Sequence, residues 1–397
     1  MTTSTRVPIL IAGGGIGGLA VALAFANRGR EVRVIEKSPE FGELGAGLQL
    51  APNASRALDD LGVLPAIASF AVFPERMVWM DAISGAQVTS LDLGAPFRER
   101  YGYRYIVMHR SDLLNVLLEA CRGNDRITLE TGKDVVSVED RGDSVHVACA
   151  DGSRYDTEML VGADGLWSVV RRLLIDDGDP ICSQYVAYRG AIPIEQMSHH
   201  AGLDNVMLWT GPDMHLVQYP VRRGELYNQV AVFKSARYRP DSDDWGTSDE
   251  LDDHFAPCTG DVRSALTQFR RNRRWPMFDR LPVTRWSRNR ITMIGDAAHP
   301  MLQYLAQGAA QALEDAVALG DAVANSDDVP AAFAAYEAAR VARTARVQTT
   351  ARAWGDYWHV PLEQVAERNA ALATRDPRDY SETDWFYAYG AERQAAR

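Results

Sequence analysis

The sequence lacks long apolar runs. No stretch approaches the ~18 consecutive apolar residues that a membrane helix needs. The first residues, MTTSTRVP, contain no basic segment followed by an apolar one, as a signal peptide would. We therefore expect a cytoplasmic protein with no membrane span.

Basic residues are fewer than acidic ones, so the formal net charge over 397 residues is −11. Phosphate backbones are bound through Lys and Arg, and this balance argues against a nucleic-acid partner. The run from Arg270 to Arg274 is a local exception, and a solvated surface turn is favoured there over an anion site. The four cysteines lie far apart, with no CxxC pair and no nearby histidine pattern, which predicts reduced thiols and no metal site.

The N-terminal region contains a strand–helix–strand pattern. Val7 to Ala12 is a short apolar strand, Leu19 to Arg28 has the composition of a helix, and Glu31 to Glu36 is typical of a second strand. Glycines separate the first strand from the helix. A βαβ unit of this kind predicts a parallel sheet with helices on its faces.

The glycines form a dinucleotide-binding motif. Gly13, Gly15 and Gly18 match G-x-G-x-x-G directly after a strand and at the start of a helix. The N–H groups at the helix N-terminus would face the pyrophosphate. Glu36, at the end of the second strand, is placed to accept the ribose hydroxyls. This motif alone does not separate FAD from NAD.

The pattern changes further along the chain. From about Tyr185 to Lys234 the β runs follow one another without helices, which predicts an antiparallel sheet in a second domain. A parallel-type strand returns at Ile291 to Ile294, and a helical pattern starts near Gly308. We therefore expect the first domain to be discontinuous, with the sheet domain inserted into it.

Two later motifs point to FAD. Asp164 to Arg171 and Gly295 to Pro300 each follow an apolar strand. With the glycine motif before them, the sequence resembles the group A flavoprotein aromatic hydroxylases, which carry GxGxxG, a D-G motif and G-D-x-x-H-P in this order. The resemblance covers nearly the whole chain. It implies an α/β fold with a Rossmann-like FAD-binding domain of the p-hydroxybenzoate hydroxylase type, an inserted, mainly antiparallel β-sheet substrate domain and a helical C-terminal tail.

The expected domain boundaries follow from this resemblance and the local patterns. The FAD-binding domain takes residues 1–75, 105–180 and 288–344, the substrate domain takes residues 76–104 and 181–287, and the helical C-terminal segment takes residues 345–397.

The resemblance also implies roles for cofactor-binding residues. Asp164 would lie near the pyrophosphate, and Asp296 would bind a ribityl hydroxyl. Arg110 would contact the ribityl and phosphate region, although an ordinary arginine at a helix start has the same pattern. Gln49 ends the matching stretch from Phe41 and is assigned to the cofactor site. The helix from Gly308 would point its N-terminus at the pyrimidine side of the flavin.

Candidate catalytic residues lie on a predicted strand. Period-2 alternation places His215, Val217 and Tyr219 on one face. A histidine that titrates near neutrality suits deprotonation of a phenol, and the tyrosine could hold a phenolic oxygen or a carboxylate. A half-buried structural histidine and a packed tyrosine would give the same pattern.

Within the family the sequence resembles the 3-hydroxybenzoate 6-hydroxylases most, with the salicylate hydroxylases next. Gln303 stands where salicylate-type members usually have proline, and its amide could bond the substrate. Ala187 to Gly190 and Trp354 to His359 also match that subgroup. The aromatic tail is expected to be exposed and hints at a homodimer.

The resemblance implies a reaction in two halves. NADH or NADPH reduces FAD, and the reduced flavin and O₂ give a C4a-hydroperoxide that hydroxylates a phenolic acid. The expected conversion is 3-hydroxybenzoate to 2,5-dihydroxybenzoate, with His215 as base and Tyr219 and Gln303 as positioning groups. The alternatives are a decarboxylating salicylate 1-hydroxylase, a related hydroxylase of an aromatic or heteroaromatic acid, or a non-hydroxylating reductase or binding protein of the same fold.

Overall fold

The computed structural model describes residues 4–42, 46–197, 203–237, 247–269 and 271–392. Part of the matching stretch after Phe41, Arg270 of the basic run and the last five residues of the predicted C-terminal segment lie outside them. The strands are β1 (Thr5–Ala12), β2 (Val32–Ile35), β3 (Gly47–Leu50), β4 (Arg76–Asp81), β5 (Gln87–Asp92), β6 (Ile106–His109), β7 (Ile127–Glu130), β8 (Val135–Asp140), β9 (Val145–Cys149), β10 (Arg154–Gly162), β11 (Ile181–Pro193), β12 (Val206–Gly211), β13 (Met214–Val221), β14 (Leu226–Lys234), β15 (Trp275–Asp279) and β16 (Ile291–Met293).

The same ranges contain α-helices on both sheets and at the C-terminal end. They are α1 (Ile16–Ala26), α2 (Pro52–Asp60), α3 (Leu64–Ala68), α4 (Ala95–Tyr101), α5 (Arg110–Arg122), α6 (Val169–Leu174), α7 (Asp249–Phe255), α8 (Gly260–Leu266), α9 (Gly308–Ala324), α10 (Val329–Trp358), α11 (Leu362–Ala373) and α12 (Ser381–Tyr387). Within the described ranges, each helix is too short or too polar to cross a bilayer.

The first sheet has the order β7-β2-β1-β10-β9-β8, and β16 pairs with the second half of β10. β7, β2, β1, β10 and β16 are parallel, as the βαβ pattern predicts. α1 packs against α5 and α9. This helix begins at Ile16, three residues before the predicted Leu19, because the glycine motif itself supplies the first helical turn.

The second sheet has the order β15-β11-β14-β13-β12-β4-β5 and is antiparallel except where β12 pairs with β4. The early strands β4 and β5 join it from the predicted 76–104 segment. α7 and α8 cover one face, where Phe255 and Val262 pack against Leu216 and Phe233. The opposite face of β13 and its neighbours lies over the cavity described below.

The C-terminal helices close the far side of the molecule. α10 is one continuous helix of 30 residues, and the Asp328 side chain accepts a hydrogen bond from the N–H of Ala331 at its start. The predicted boundary between residues 344 and 345 therefore falls inside a helix. No proline interrupts α10 after its first turn, so the chain has no local reason to break there. The remaining domain divisions stay predictions.

Candidate active site

A cavity of about 700 Å³ extends from the glycine turn after β1, past the start of α9, to the second sheet and α10. Except for Gly18, every residue that the sequence analysis assigned to the site lines it. These are Gly13, Gly15, Glu36, Gln49, Arg110, Asp164, His215, Tyr219, Asp296, Gln303 and Gly308. Strands and helices far apart in the chain thus converge on one space, as the three motifs predict.

The glycine motif leaves room for a ligand at one position only. Gly13 has a φ of +110°, and a Cβ there would lie 2.3 Å from the carbonyl oxygen of Ala163. A Cβ on Gly18 would lie 1.9 Å from the carbonyl oxygen of Gly13. At Gly15, by contrast, no protein atom lies within 4 Å of a Cβ. The first and last glycines serve chain packing, and the open side of Gly15 suits a pyrophosphate.

Glu36 lies beside the glycine motif. Its carboxylate accepts hydrogen bonds from the N–H of Gly14 at 2.8 Å and the N–H of Ser38 at 2.9 Å. These bonds fix the carboxylate at the cavity wall. Each oxygen retains acceptor capacity, so the group fits a pair of ribose hydroxyls.

Asp164 has both carboxylate oxygens committed to the first turn of α6. Ser168 Oγ donates at 2.5 Å, and the N–H groups of Val169 and Val170 donate at 2.8 and 3.2 Å. Burial raises the pKa of Asp164 despite these bonds. The D-G motif is at the cavity as predicted, and its aspartate, which lines the cavity, also holds the turn at the start of α6.

Asp296 and His299 of the third motif have opposite environments. Asp296 is exposed within a single-turn 3-10 helix, Gly295–Ala297, and lines the cavity. His299 is buried, with Nε2 2.5 Å from Oδ2 of Asp315, and the same oxygen accepts the N–H of Gly295 at 3.0 Å. His299 therefore braces the loop that carries Asp296, and the cavity is left to the aspartate.

A buried ionic network supports the start of α9. Arg340 binds Asp315 at 2.7 Å and also Glu314, while Arg343 binds Glu314 at 2.6 Å. Asn53 of α2 donates to Glu314 at 2.6 Å. Burial alone would raise the pKa of Glu314, but the two guanidinium groups outweigh it and the pKa is lowered. Sequence patterns gave no sign of this network, since its members come from α2, α9 and α10.

The predicted strand face is present. His215, Val217 and Tyr219 of β13 all line the cavity. In the register of the sheet, Val217 pairs with Val230 of β14, and Val230 pairs with Arg189 of β11. Arg189 therefore shares this face and points into the same space. Burial raises the pKa of Tyr219, so its hydroxyl is protonated at neutral pH.

His215 is fully buried and forms a pair with His359. Its Nδ1 lies 2.7 Å from Nε2 of His359, which follows the last residue of α10. Burial, and then the neighbouring His359, lowers the pKa of His215 well below its ordinary value. The expectation that this histidine titrates near neutrality is therefore wrong for the protein without a bound substrate. The alternation of β13 could not reveal a partner 144 residues away.

Gln303 joins His215 to Arg189. Arg189 Nη2 donates to Oε1 of Gln303 at 2.9 Å, and Nε2 of Gln303 lies 3.5 Å from Nε2 of His215. Among the residues that the structure describes, Arg189 Nε is buried without a hydrogen-bond partner, and no carboxylate forms an ion pair with this guanidinium. Burial, and then Arg110, lowers the Arg189 pKa. The stretch Ala187 to Gly190 was recognised, but its arginine was not assigned to the site.

The aromatic residues of the C-terminal segment pack inward. Trp354 and Trp358 line the cavity, and Trp358 lies edge-on to His215 with ring centroids 5.1 Å apart. Phe386 and Tyr387 are buried against β6 and α4. The expectation of an exposed aromatic tail is therefore wrong, and the hint of a dimer surface drawn from it loses its support.

The basic run belongs to the surface of the second sheet. Arg271 pairs with Asp252 at 2.8 Å, and Arg274 pairs with Glu250 at 3.0 Å. The guanidinium of Arg273 lies 3.7 Å from the ring centroid of Trp275. The exposed Arg273 and the Arg271 pair agree with a surface turn, whereas the Arg274–Glu250 pair is buried, with 9% and 6% of the two side chains exposed. Among the described residues no group of three or more His, Cys, Asp and Glu side chains is placed to hold a metal ion.

The doubly wound sheet, the glycine motif and the covering antiparallel sheet define a flavoprotein in which a second domain closes the end of the cavity opposite the glycine turn. Residues 6–351 match the family described as FAD binding domain, and the chain belongs to this family. It is an FAD-dependent aromatic monooxygenase that uses NAD(P)H and O₂, as the sequence predicts.

Similar proteins cover nearly the whole chain. 3-Hydroxybenzoate 6-hydroxylase 1 of Aquipseudomonas alcaligenes is 40% identical over 96% of this chain and 97% of its own length. The 3-amino-4-hydroxybenzoate 2-monooxygenase of Streptomyces cremeus is 33% identical over 96% and 95%. The structure of Klebsiella pneumoniae HpxO complexed with FAD and uric acid has a TM-score of 0.85 at 26% identity, covering 97% of this chain and 96% of that chain.

Proposed function

We propose that the protein hydroxylates 3-hydroxybenzoate at the carbon para to its hydroxyl group and forms 2,5-dihydroxybenzoate. The observation that supports this proposal is a row of contacting polar side chains, Arg189, Gln303 and His215, on the cavity wall. Val217 and Val230 line the cavity beside them. A partly apolar wall that presents the Arg189 cation beside a proton acceptor suits a small aromatic acid with a carboxylate and a hydroxyl.

Arg189 supplies the carboxylate contact in this proposal. A cation removed from water without a counter-charge is costly, and an anion placed against it recovers much of that cost. Nε of Arg189 is buried and has no hydrogen-bond partner among the described residues, so a bound carboxylate gives it an acceptor. Its planar group can bind a carboxylate through two parallel hydrogen bonds.

His215 and Gln303 receive the phenolic hydroxyl. The proton passes from the phenol to Nε2 of His215, while the amide N–H of Gln303 donates to the phenolic oxygen. Burial disfavours the imidazolium, but a carboxylate at Arg189 adds negative charge to the same cavity and raises the His215 pKa. Tyr219, protonated at neutral pH, offers an O–H donor on the same strand face.

Bound FAD supplies reduction by NAD(P)H and activation of O₂. In our proposal Gly15 and the N-terminus of α1 face the pyrophosphate, and Glu36 holds the ribose hydroxyls of the adenosine. Asp296 and Arg110 hold the ribityl and phosphate region, and Gln49 lines the cofactor space. The N-terminus of α9 at Gly308 stabilises negative charge on the reduced cofactor.

A panel of ring acids tests the proposal. NADH and NADPH oxidation, O₂ uptake and products would be measured with 3-hydroxybenzoate, salicylate, 4-hydroxybenzoate, 3-amino-4-hydroxybenzoate and 6-hydroxynicotinate. We expect 2,5-dihydroxybenzoate from 3-hydroxybenzoate at the highest kcat/KM. Release of CO₂ and formation of catechol from salicylate at a higher kcat/KM would replace the proposal with a salicylate hydroxylase. Oxidation of NAD(P)H with no O₂ consumed would point to a reductase, and no turnover of any acid would favour a binding protein.

A cytoplasmic location and a homodimer stay predictions. Fractionation of cells and light scattering of the purified holoenzyme would test them.

A further inference from the structure

Arg189 sets the direction of the hydrogen bonds around His215. A guanidinium has no acceptor, so Arg189 must donate to Gln303, which fixes the amide oxygen on the arginine side. The amide nitrogen then lies 3.5 Å from Nε2 of His215, and because that nitrogen can only donate, this arrangement favours the tautomer with the lone pair on Nε2.

The proton of neutral His215 consequently lies on Nδ1. That atom is 2.7 Å from Nε2 of His359, which must accept it. His359 in turn carries its own proton on Nδ1, which is buried with no hydrogen-bond partner among the described residues. Each residue therefore donates a hydrogen bond to the next in the order Arg189, Gln303, His215, His359.

We infer that His359 is a positioning residue for the proposed proton transfer, because it accepts the Nδ1–H of His215 and holds the base in the tautomer whose Nε2 lone pair faces the cavity. The inference rests on His215 as the base of the proposed function. Without this acceptor the buried ring could place its proton on Nε2, where it would block the phenol. The histidine thus supplies the orienting contact that a catalytic imidazole needs on its second nitrogen.

The surroundings keep His359 in place. Its ring stacks on Tyr185 at a centroid distance of 4.5 Å and lies nearly parallel to the hydrogen-bonded ring of His215, with centroids 5.0 Å apart. The Tyr185 hydroxyl donates to Asp213 at 3.0 Å. Tyr304 lies edge-on at 5.4 Å.

The charges near the pair keep it neutral. Burial, and then Arg368 of α11 and Lys234 at the end of β14, lowers the pKa of His359 to about 3. When His215 takes the phenol proton on Nε2, its Nδ1–H bond to His359 becomes charge-assisted, so the positive charge is stabilised by the second ring. No proton needs to leave the pair for this effect.

Substitutions at His359 separate an accepting role from a packing role. H359Q retains an oxygen that can accept from Nδ1, whereas H359F retains a ring with no acceptor. H254F, in which a half-buried histidine of α7 on the covered side of the sheet is replaced, is the matched control. Flavin content and thermal unfolding of each holoenzyme would show whether the fold is kept.

The first readout is ionisation of a bound phenol without NAD(P)H. The probe is 3-hydroxy-4-nitrobenzoate, whose phenolate absorbs in the visible range. We expect H359F to raise the pH at which the bound probe ionises, and H359Q and H254F to leave it close to that of the parent. The groups named above, Arg368, Lys234, Asp213 and Arg189, are common to all four proteins, so the shift reports on position 359.

The second readout is coupling of NAD(P)H oxidation to product. We expect H359F to lower hydroxylation of 3-hydroxybenzoate by about 10- to 100-fold, by analogy with the loss of a group that orients a metal-bound histidine. H359Q should recover most of it. If H359F does not retain FAD, H359L removes the acceptor with a smaller side chain and carries the same comparison.

Equal ionisation of the probe in H359F (or H359L) and the parent would overturn the inference, as would an H359Q protein as impaired as H359F. A parent enzyme that turns over none of the hydroxybenzoates would contradict the proposed function instead. The ionisation measurement needs no turnover, so the two failures can be distinguished.

Discussion

His299 binds Asp315, and the same carboxylate accepts the N–H of Gly295, so Asp315 links the two ends of the third motif. Arg340 holds the other oxygen of the same carboxylate at 2.7 Å. The motif histidine is thus a structural partner of the loop, and the chemistry of the cavity is left to other side chains.

Asp315→Asn should lower the free energy of unfolding by about 3–5 kcal/mol, because it leaves the buried Arg340 without a full counter-charge. Flavin affinity should fall with it, since the loop carrying Asp296 loses its support. Urea unfolding and FAD titration would measure both. D321N, at an ion pair of α9 with Arg28 nearer the surface, is the control and should cost less than about 1 kcal/mol. Equal losses in the two variants would contradict the bracing role.

Replacement by alanine should affect Gly13 and Gly15 differently. Gly15→Ala places a methyl group in the open cavity, so the apoprotein should keep its stability while FAD binding weakens by about tenfold or more. Gly13→Ala meets a backbone oxygen at a positive φ and should destabilise the apoprotein itself by about 1–3 kcal/mol. Apoprotein unfolding and FAD titration measure the two effects. An unchanged FAD affinity in G15A would argue against a pyrophosphate at that position.

The fold was largely predictable because its signals are local. Alternation within β13 and the strand–turn–helix at Gly13 each depend on neighbouring residues, and the structure contains both. The predicted C-terminal segment starts at residue 345, inside α10, because a helix that changes its packing partners along its length has no single apolar stripe to mark its ends.

The site residues were predictable only where they belong to a recognisable sequence motif. Gln303 and Arg189 are 114 residues apart, and they meet because β11 and the turn after β16 face the same cavity. A lone histidine at a helix end, such as His359, has no sequence signature of its own. The sequence therefore predicted His215 and Gln303, but their partners Arg189 and His359 are brought to them only by tertiary packing.

His215→Ala should lower coupled hydroxylation by about 10²- to 10⁴-fold while flavin content stays close to that of the parent. The side chain faces the proposed substrate and touches none of the residues proposed to hold FAD. Product formed per NAD(P)H oxidised and the flavin absorbance of the purified protein measure the two effects. Unchanged turnover would remove the assignment of this residue as base.

Gln303→Pro tests the bridge between His215 and Arg189. Leu302 is extended, with φ −67° and ψ 152°, which is compatible with a following proline. The amide is lost, so we expect lower coupling and weaker binding of 3-hydroxybenzoate with the holoenzyme otherwise intact. Gln303→Glu is the companion variant, since it keeps an acceptor for Arg189 but loses the donor. Little effect of either change on 3-hydroxybenzoate turnover would count against the proposed substrate.

Arg189→Gln should weaken binding of 3-hydroxybenzoate by about 10- to 100-fold, the equivalent of about one charge-assisted hydrogen bond. Binding of 3-hydroxybenzyl alcohol, which has no carboxylate, should change little. Perturbation of the flavin spectrum on titration gives both dissociation constants. R273Q, the same substitution at an exposed arginine over Trp275, is the control. Equal weakening of the acid and the alcohol would show that Arg189 shapes the pocket without binding the carboxylate.

Acid should destabilise the parent through the histidine pair. Because the pKa of His359 falls from 6.5 in the unfolded chain to about 3 in the fold, the folded state binds fewer protons. Above pH 6.5 the ring is neutral in both states and does not reduce the free energy of unfolding. As the pH falls from there toward about 3, the unfolded chain takes up a proton that the folded state does not, and the free energy of unfolding decreases. Each such group adds a slope of up to about 1.4 kcal/mol per pH unit in that window. Urea unfolding of parent and H359Q between about pH 7.5 and about pH 5 would measure it. We expect the parent to lose more stability than H359Q over this interval, and parallel curves for the two proteins would show that His359 does not titrate as a buried neutral group.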